Sequence, residues 1–81
     1  MRERQQLKGE LFDAQEEIKR KGTKAQGHCE RIRELLNPLL TEFEEMRIAE
    51  AAGLMDDLVM LQAELLRLAS RADQLKKALY G

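Results

Sequence analysis

The sequence has no tryptophan, and Phe12, Phe43 and Tyr80 are its only aromatic residues. A chain of 81 residues stands near the lower size limit at which a core can stabilise itself, and small globules draw much of their centre from bulky rings. A core of leucine, alanine and methionine suits helix-on-helix seams instead, where small and medium side chains interlock. Cys29 is the single cysteine, which excludes an internal disulfide and any paired-cysteine metal motif. No apolar run approaches the roughly 20 residues needed to cross a bilayer. The opening stretch, MRERQQLKGE, is polar from the start and has no secretory hydrophobic region. A cytoplasmic protein without membrane contact is the expectation. An excess of one charge is missing too. The 14 basic and 15 acidic residues leave a formal net charge of −1, so no global field draws the chain to nucleic acid.

What the sequence does have is heptads. Leu7, Leu11, Ala14, Ile18, Lys21, Ala25, His28, Ile32, Leu35 and Leu39 succeed one another at alternating spacings of four and three, which places them along one seam of a helix. Only Lys21 and His28 in that series are polar. The intervening residues are mostly Glu, Lys, Arg and Gln, all good helix formers, so a first helix is expected over about 2–36. Gly22 and Gly27 weaken its middle by about 1 kcal/mol each relative to alanine. Thr23 with Gln26 has the spacing of a capping box that could start a new helix there. The sequence leaves open a break between Lys21 and Gly27, although the seam resumes in phase beyond the glycines.

Pro38 is the single proline, and it disfavours helical geometry in the residue before it. The first helix should therefore end near Leu36, with Asn37 as an N-cap and Pro38 as the first residue of the next helical element. Glu42, Glu44 and Glu45 then fall in the early turns, where a helix dipole favours negative charge. Residues 37–46 are either the opening of a second helix or a short helical elbow leading to it. The second seam is cleaner. Ala51, Leu54, Leu58, Leu61, Leu65, Leu68, Ala72, Leu75 and Leu79 hold the spacing without an apolar gap, predicting a helix over about 47–79. Met55, Val59, Leu66 and Ala69 widen the stripe beyond what one neighbour covers. Gly53 lies inside this helix and would permit a close approach.

The fold class expected is all-α. Residues 1–81 form one domain, an antiparallel helical hairpin of two long helices turning at Asn37-Pro38. Residues 1–36 carry nine basic and seven acidic side chains, and residues 37–81 carry five and eight, opposite balances that assist antiparallel pairing. A lone hairpin has a single internal seam, so the flanking row of the second helix would stay wet. Two hairpins burying those rows together would make a four-helix bundle, and a homodimer is expected.

The candidates for chemistry are few. His28-Cys29-Glu30 is one, but adjacent helical residues point about 100° apart, and a Cys–His nucleophile pair must meet across about 3 Å. These fit better as seam or seam-edge residues. The carboxylates Glu42, Glu44, Glu45, Glu50, Asp56 and Asp57 invite a metal, yet helical di-metal sites need Glu-x-x-His pairs aimed into the core, and no histidine follows these acids. Lys19, Arg20, Lys21 and Lys24 form a basic patch that, with Arg2 and Arg4, gives the alternative of a nucleic-acid-associated protein. No aromatic is interleaved to stack on bases, and Glu16 and Glu17 lie one turn away. The methionines Met46, Met55 and Met60 suit core filling. No enzyme, cofactor, metal or small-molecule substrate is therefore expected. The function expected is a small oligomerising helical module for protein–protein contact, accessory or regulatory. Its interface residues are Leu54, Met55, Leu58, Val59, Leu61, Leu65, Leu66 and Leu68, facing a second copy or another helical protein, with nucleic acid not expected as a partner.

The stretch Arg31-Ile32-Arg33-Glu34-Leu35-Leu36-Asn37-Pro38, succeeded by an acidic elbow and an alanine-rich heptad helix, resembles short uncharacterised helical proteins of Mu-like prophages. These share an I-x-x-LL-[DN]-P turn between two helices and a leucine-rich last helix closing near A-L-x-G, matched by Ala78-Leu79-Tyr80-Gly81. The resemblance covers about residues 25–81. It implies a bacterial or phage cytoplasmic origin and no particular activity.

Overall fold

The structure is a computed structural model that describes residues 2–81. Two long helices account for nearly all of it: α1 spans Arg2–Leu35 and α2 spans Ile48–Tyr80, with a single 3-10 turn at Phe43–Glu45 between them. They fold back as an antiparallel hairpin, a rod with Cα extents of 62 × 16 × 16 Å. Its radius of gyration is 18.1 Å, against about 12 Å for a compact chain of this length.

The heptad seams are the contact surface. Leu11, Ala14 and Leu35 of α1 are buried, and so are Ala51, Leu61, Ala72, Leu75 and Leu79 of α2. Every other seam position from Leu7 to Ile32 and from Leu54 to Leu68 is half-buried. Leu11 and Ala14 pack with Ala72, Leu75 and Leu79 at the open end of the hairpin, where Leu7 and Ile18 close around them. Large side chains thus alternate with alanines, which lets the helices approach while filling the space.

α1 runs without interruption through Gly22 and Gly27. The hydroxyl of Thr23 donates to the Lys19 carbonyl at 3.0 Å, one turn back inside the helix, and so starts no new helix. Around Gly53 no other part of the hairpin comes within 4 Å of where a Cβ would sit, so the close approach expected there does not occur within the chain.

The elbow keeps to the expected chemistry for one turn only. Asn37 Oδ1 accepts the Leu39 N–H at 2.9 Å, and the Asn37 carbonyl accepts from Leu40 and Thr41 at 3.1 and 3.2 Å. This is N-cap behaviour, but the helix it begins stops at once. The backbone is extended at Glu42 and again at Met46, and α2 begins at Ile48 with Arg47 at its N-cap position and no side-chain cap. Glu44 and Glu45 therefore sit in the 3-10 turn, and Glu50 is the acid in the first turn of α2. Leu39, the last member of the first heptad series, is 91% exposed. A seam needs a continuous helix, and the series ends where the helix does.

Candidate functional site

The two long edges of the hairpin differ. Along one, α1 and α2 are joined by a ladder of contacts between basic and acidic side chains. Arg31 reaches Glu50 at 3.3 Å, His28 Nε2 lies 3.2 Å from Asp57 Oδ2, Lys21 binds Glu64, and Arg71 reaches Glu10 at 3.5 Å. The spacing explains this. Glu10 and Arg31 stand one residue before seam positions of α1, whereas Glu50, Asp57, Glu64 and Arg71 recur every seven residues on α2, a single row along a helix that keeps a heptad seam. A carboxylate can only accept a hydrogen bond, so His28 Nε2 is the donor to ionised Asp57. The Lys21 ammonium, first through its hydrogen bond and then through its charge, holds the Glu64 carboxyl below its ordinary value of 4.5.

Among the described residues the other edge has no such ladder. Met55, Val59 and Leu66 are exposed there at 51, 65 and 67%, and with Ile18 and Ala25 of α1 they line an open apolar groove. They belong to a second heptad row on α2, Ile48, Ala52, Met55, Val59, Gln62, Leu66 and Ala69, rotated from the row that faces α1. None of the seven residues of the row, which extends from 48 to 69, carries a formal charge. Its only polar member is Gln62.

The interface residues expected from the sequence therefore divide. Leu61 is buried against α1 at 6% exposure, and Leu54, Leu58, Leu65 and Leu68 are half-buried in the same seam. Met55, Val59 and Leu66 are left exposed, and Leu58 and Leu65 reach the same groove from the seam. A wide apolar arc on a helical wheel shows that two surfaces exist; which part serves which depends on how α2 is rotated against α1.

A second apolar patch was not expected from the sequence. Leu39, Leu40 and Phe43 are exposed at the hairpin tip beside Leu36, flanked by Glu42, Glu44 and Glu45. Its signal is three large apolar residues crowded after the proline, outside any helical repeat.

The basic patch is half engaged. Arg20 pairs with Glu17, and Lys21 pairs with Glu17 and Glu64, which leaves Lys19 and Lys24 as its exposed cations without an ion pair among the described residues. Arg4 is exposed at the open end, and the Arg2 side chain lies outside the described residues. Cys29 is exposed. Among the described residues no three His, Cys, Asp or Glu side chains converge as a metal site, and no helix is long and apolar enough to cross a membrane. Compared with known protein families, curated proteins and solved structures, the chain matches none.

Proposed function

We propose that this chain is a helical module whose work is protein–protein contact, and that it self-associates through the Met55–Val59–Leu66 edge of the hairpin. The observation that carries this is the asymmetry of the two edges: one is closed by three ion pairs and the His28–Asp57 hydrogen bond between the helices, and the other presents large aliphatic side chains to water.

Areas support it. A compact monomer of 9.4 kDa exposes about 5,000 Å², whereas this hairpin exposes 6611 Å². The surplus of about 1,600 Å² exceeds the roughly 800 Å² that each partner buries in a stable interface. A second hairpin laid on the same edge would complete a four-helix bundle. We propose an accessory or regulatory role; the resemblance to short proteins of Mu-like prophages bears only on origin, implying a bacterial or phage cytoplasm. No catalytic role is proposed.

Thermal unfolding at several protein concentrations tests self-association. An obligate dimer melts higher as concentration rises, because association adds to stability by mass action. Leu66→Glu should abolish that dependence while leaving α1 and α2 paired. A midpoint independent of concentration in the unmodified chain overturns the proposal.

A further inference from the structure

We infer that the two hairpins associate antiparallel, about a two-fold axis at Gln62, so that each hairpin tip lies beside the open end of its partner. This geometry rests on the self-association proposed above.

The order of side chains along the free row favours it. Met55 and Ala69 stand seven residues either side of Gln62, and Val59 and Leu66 stand three and four residues away. Two copies crossing antiparallel at Gln62 set Met55 against the partner's Ala69 and Val59 against the partner's Leu66. Each layer then pairs a long side chain with a short one, or two of middling size, which keeps the interaxial distance even. A parallel, in-register pair sets methionine on methionine at one layer and alanine on alanine at another. It would also bring Asp73, the next residue of the row, against its own copy, whereas the antiparallel pair places Asp73 near the partner's Ala52. At the centre the two Gln62 amides face each other across the axis. A primary amide carries both donors and an acceptor, so it can satisfy a copy of itself.

The charge along the rod points the same way. Residues 37–50, which form the tip, carry one basic and four acidic side chains. Residues 1–10 and 70–81, which form the open end, together carry six basic and three acidic. The ends of this 62 Å rod therefore have opposite sign. Antiparallel association lays each acidic tip along a basic end, and parallel association lays like on like. The apolar tips with Leu39, Leu40 and Phe43 then lie at opposite ends of the dimer.

Single cysteines report the orientation directly. In the full chain with Cys29→Ser, three variants are made: Met55→Cys, Gln62→Cys and Ala69→Cys, with a fourth carrying both Met55→Cys and Ala69→Cys. Each is weighed by light scattering and then treated with a short bismaleimide. In the antiparallel dimer Gln62→Cys cross-links to two chains, Met55→Cys and Ala69→Cys alone do not, and the double variant does. Two copies of Met55 are then separated by about 21 Å along the axis, at 1.5 Å per residue, beyond the reagent. Efficient cross-linking of Met55→Cys and Ala69→Cys singly, at dimeric mass, overturns the orientation and leaves self-association standing. Monomeric mass in the Cys29→Ser parent overturns both.

Discussion

Lys21 of α1 and Glu64 of α2 form an ion pair across the hairpin, and His28 and Asp57 form a hydrogen bond one heptad along both helices. Lys21 and His28 are the two polar positions of the α1 seam, where a leucine would ordinarily stand. Each lies at the edge of the seam, 28% and 17% exposed, where its side chain can turn out to a carboxylate on the ladder edge. A long cationic side chain can cover apolar surface while its charge stays near water. Because the pairs are seven residues apart on both helices, a shift of either helix breaks both, and they fix the antiparallel register as buried polar positions do in coiled coils.

Reversing the Lys21–Glu64 pair tests this directly. Glu64→Lys sets two cations against each other and should lower the thermal midpoint of the hairpin, as should Lys21→Glu with its facing carboxylates. The double exchange should recover most of the loss, which thermal melts monitored by circular dichroism would measure as a coupling between the two sites. Purely additive losses would mean the pair sets no register.

The same pair gives an acid limb to stability. The Glu64 carboxyl titrates below its ordinary 4.5 in the folded chain, so its contribution is complete above that pH and is lost as pH falls through the folded value. Urea midpoints of the native chain should therefore fall more steeply below about pH 4.5 than those of Glu64→Gln. The difference should be modest and shrink with salt, because the pair is partly open to water. Parallel profiles for the two chains would contradict it.

Adjacent positions on α2 should behave oppositely. Leu61 is buried against α1 and Met60 is 65% exposed. Leu61→Ala should cost about 2–5 kcal/mol, the transfer term plus a cavity, and Leu61→Asp should leave no folded hairpin. Met60→Asp should be nearly neutral. Far-ultraviolet circular dichroism with urea titration separates these outcomes, and equal effects at both positions would show the seam to be misplaced.

Gly9 and Gly27 lie within α1 with open space where an alanine methyl would sit, and neither belongs to a seam. Gly27→Ala and Gly9→Ala should each stabilise the helix by about 1 kcal/mol. That corresponds to about 4–8 °C in the melting midpoint of a domain this small. No gain at Gly27 would indicate that another molecule approaches the backbone there.

The register of both helices was legible in the sequence because a heptad repeat fixes which residues share a face. Ala51, Leu61, Ala72, Leu75 and Leu79 are buried where the spacing put them. The pairing of Lys21 with Glu64 was not legible, since it depends on the rotation and axial offset of one helix against the other. The same rotation decided that Leu61 turns inward while Met55, Val59 and Leu66 stay free. At the elbow the sequence marked Asn37 as a cap, and Asn37 does cap a turn. That the turn ends after one round, leaving Leu39, Leu40 and Phe43 in water, results from the extended backbone at Glu42, which no local propensity announces.

If the Met55–Val59–Leu66 edge joins two copies of this chain, the assembly must come apart when that edge is charged. Sedimentation equilibrium of the unmodified protein beside Leu66→Glu tests this most directly. Twice the chain mass of 9.4 kDa is predicted for the former and a single chain, still strongly helical, for the latter. A single-chain mass for the unmodified protein at every concentration, or an unchanged dimer in Leu66→Glu, would contradict it.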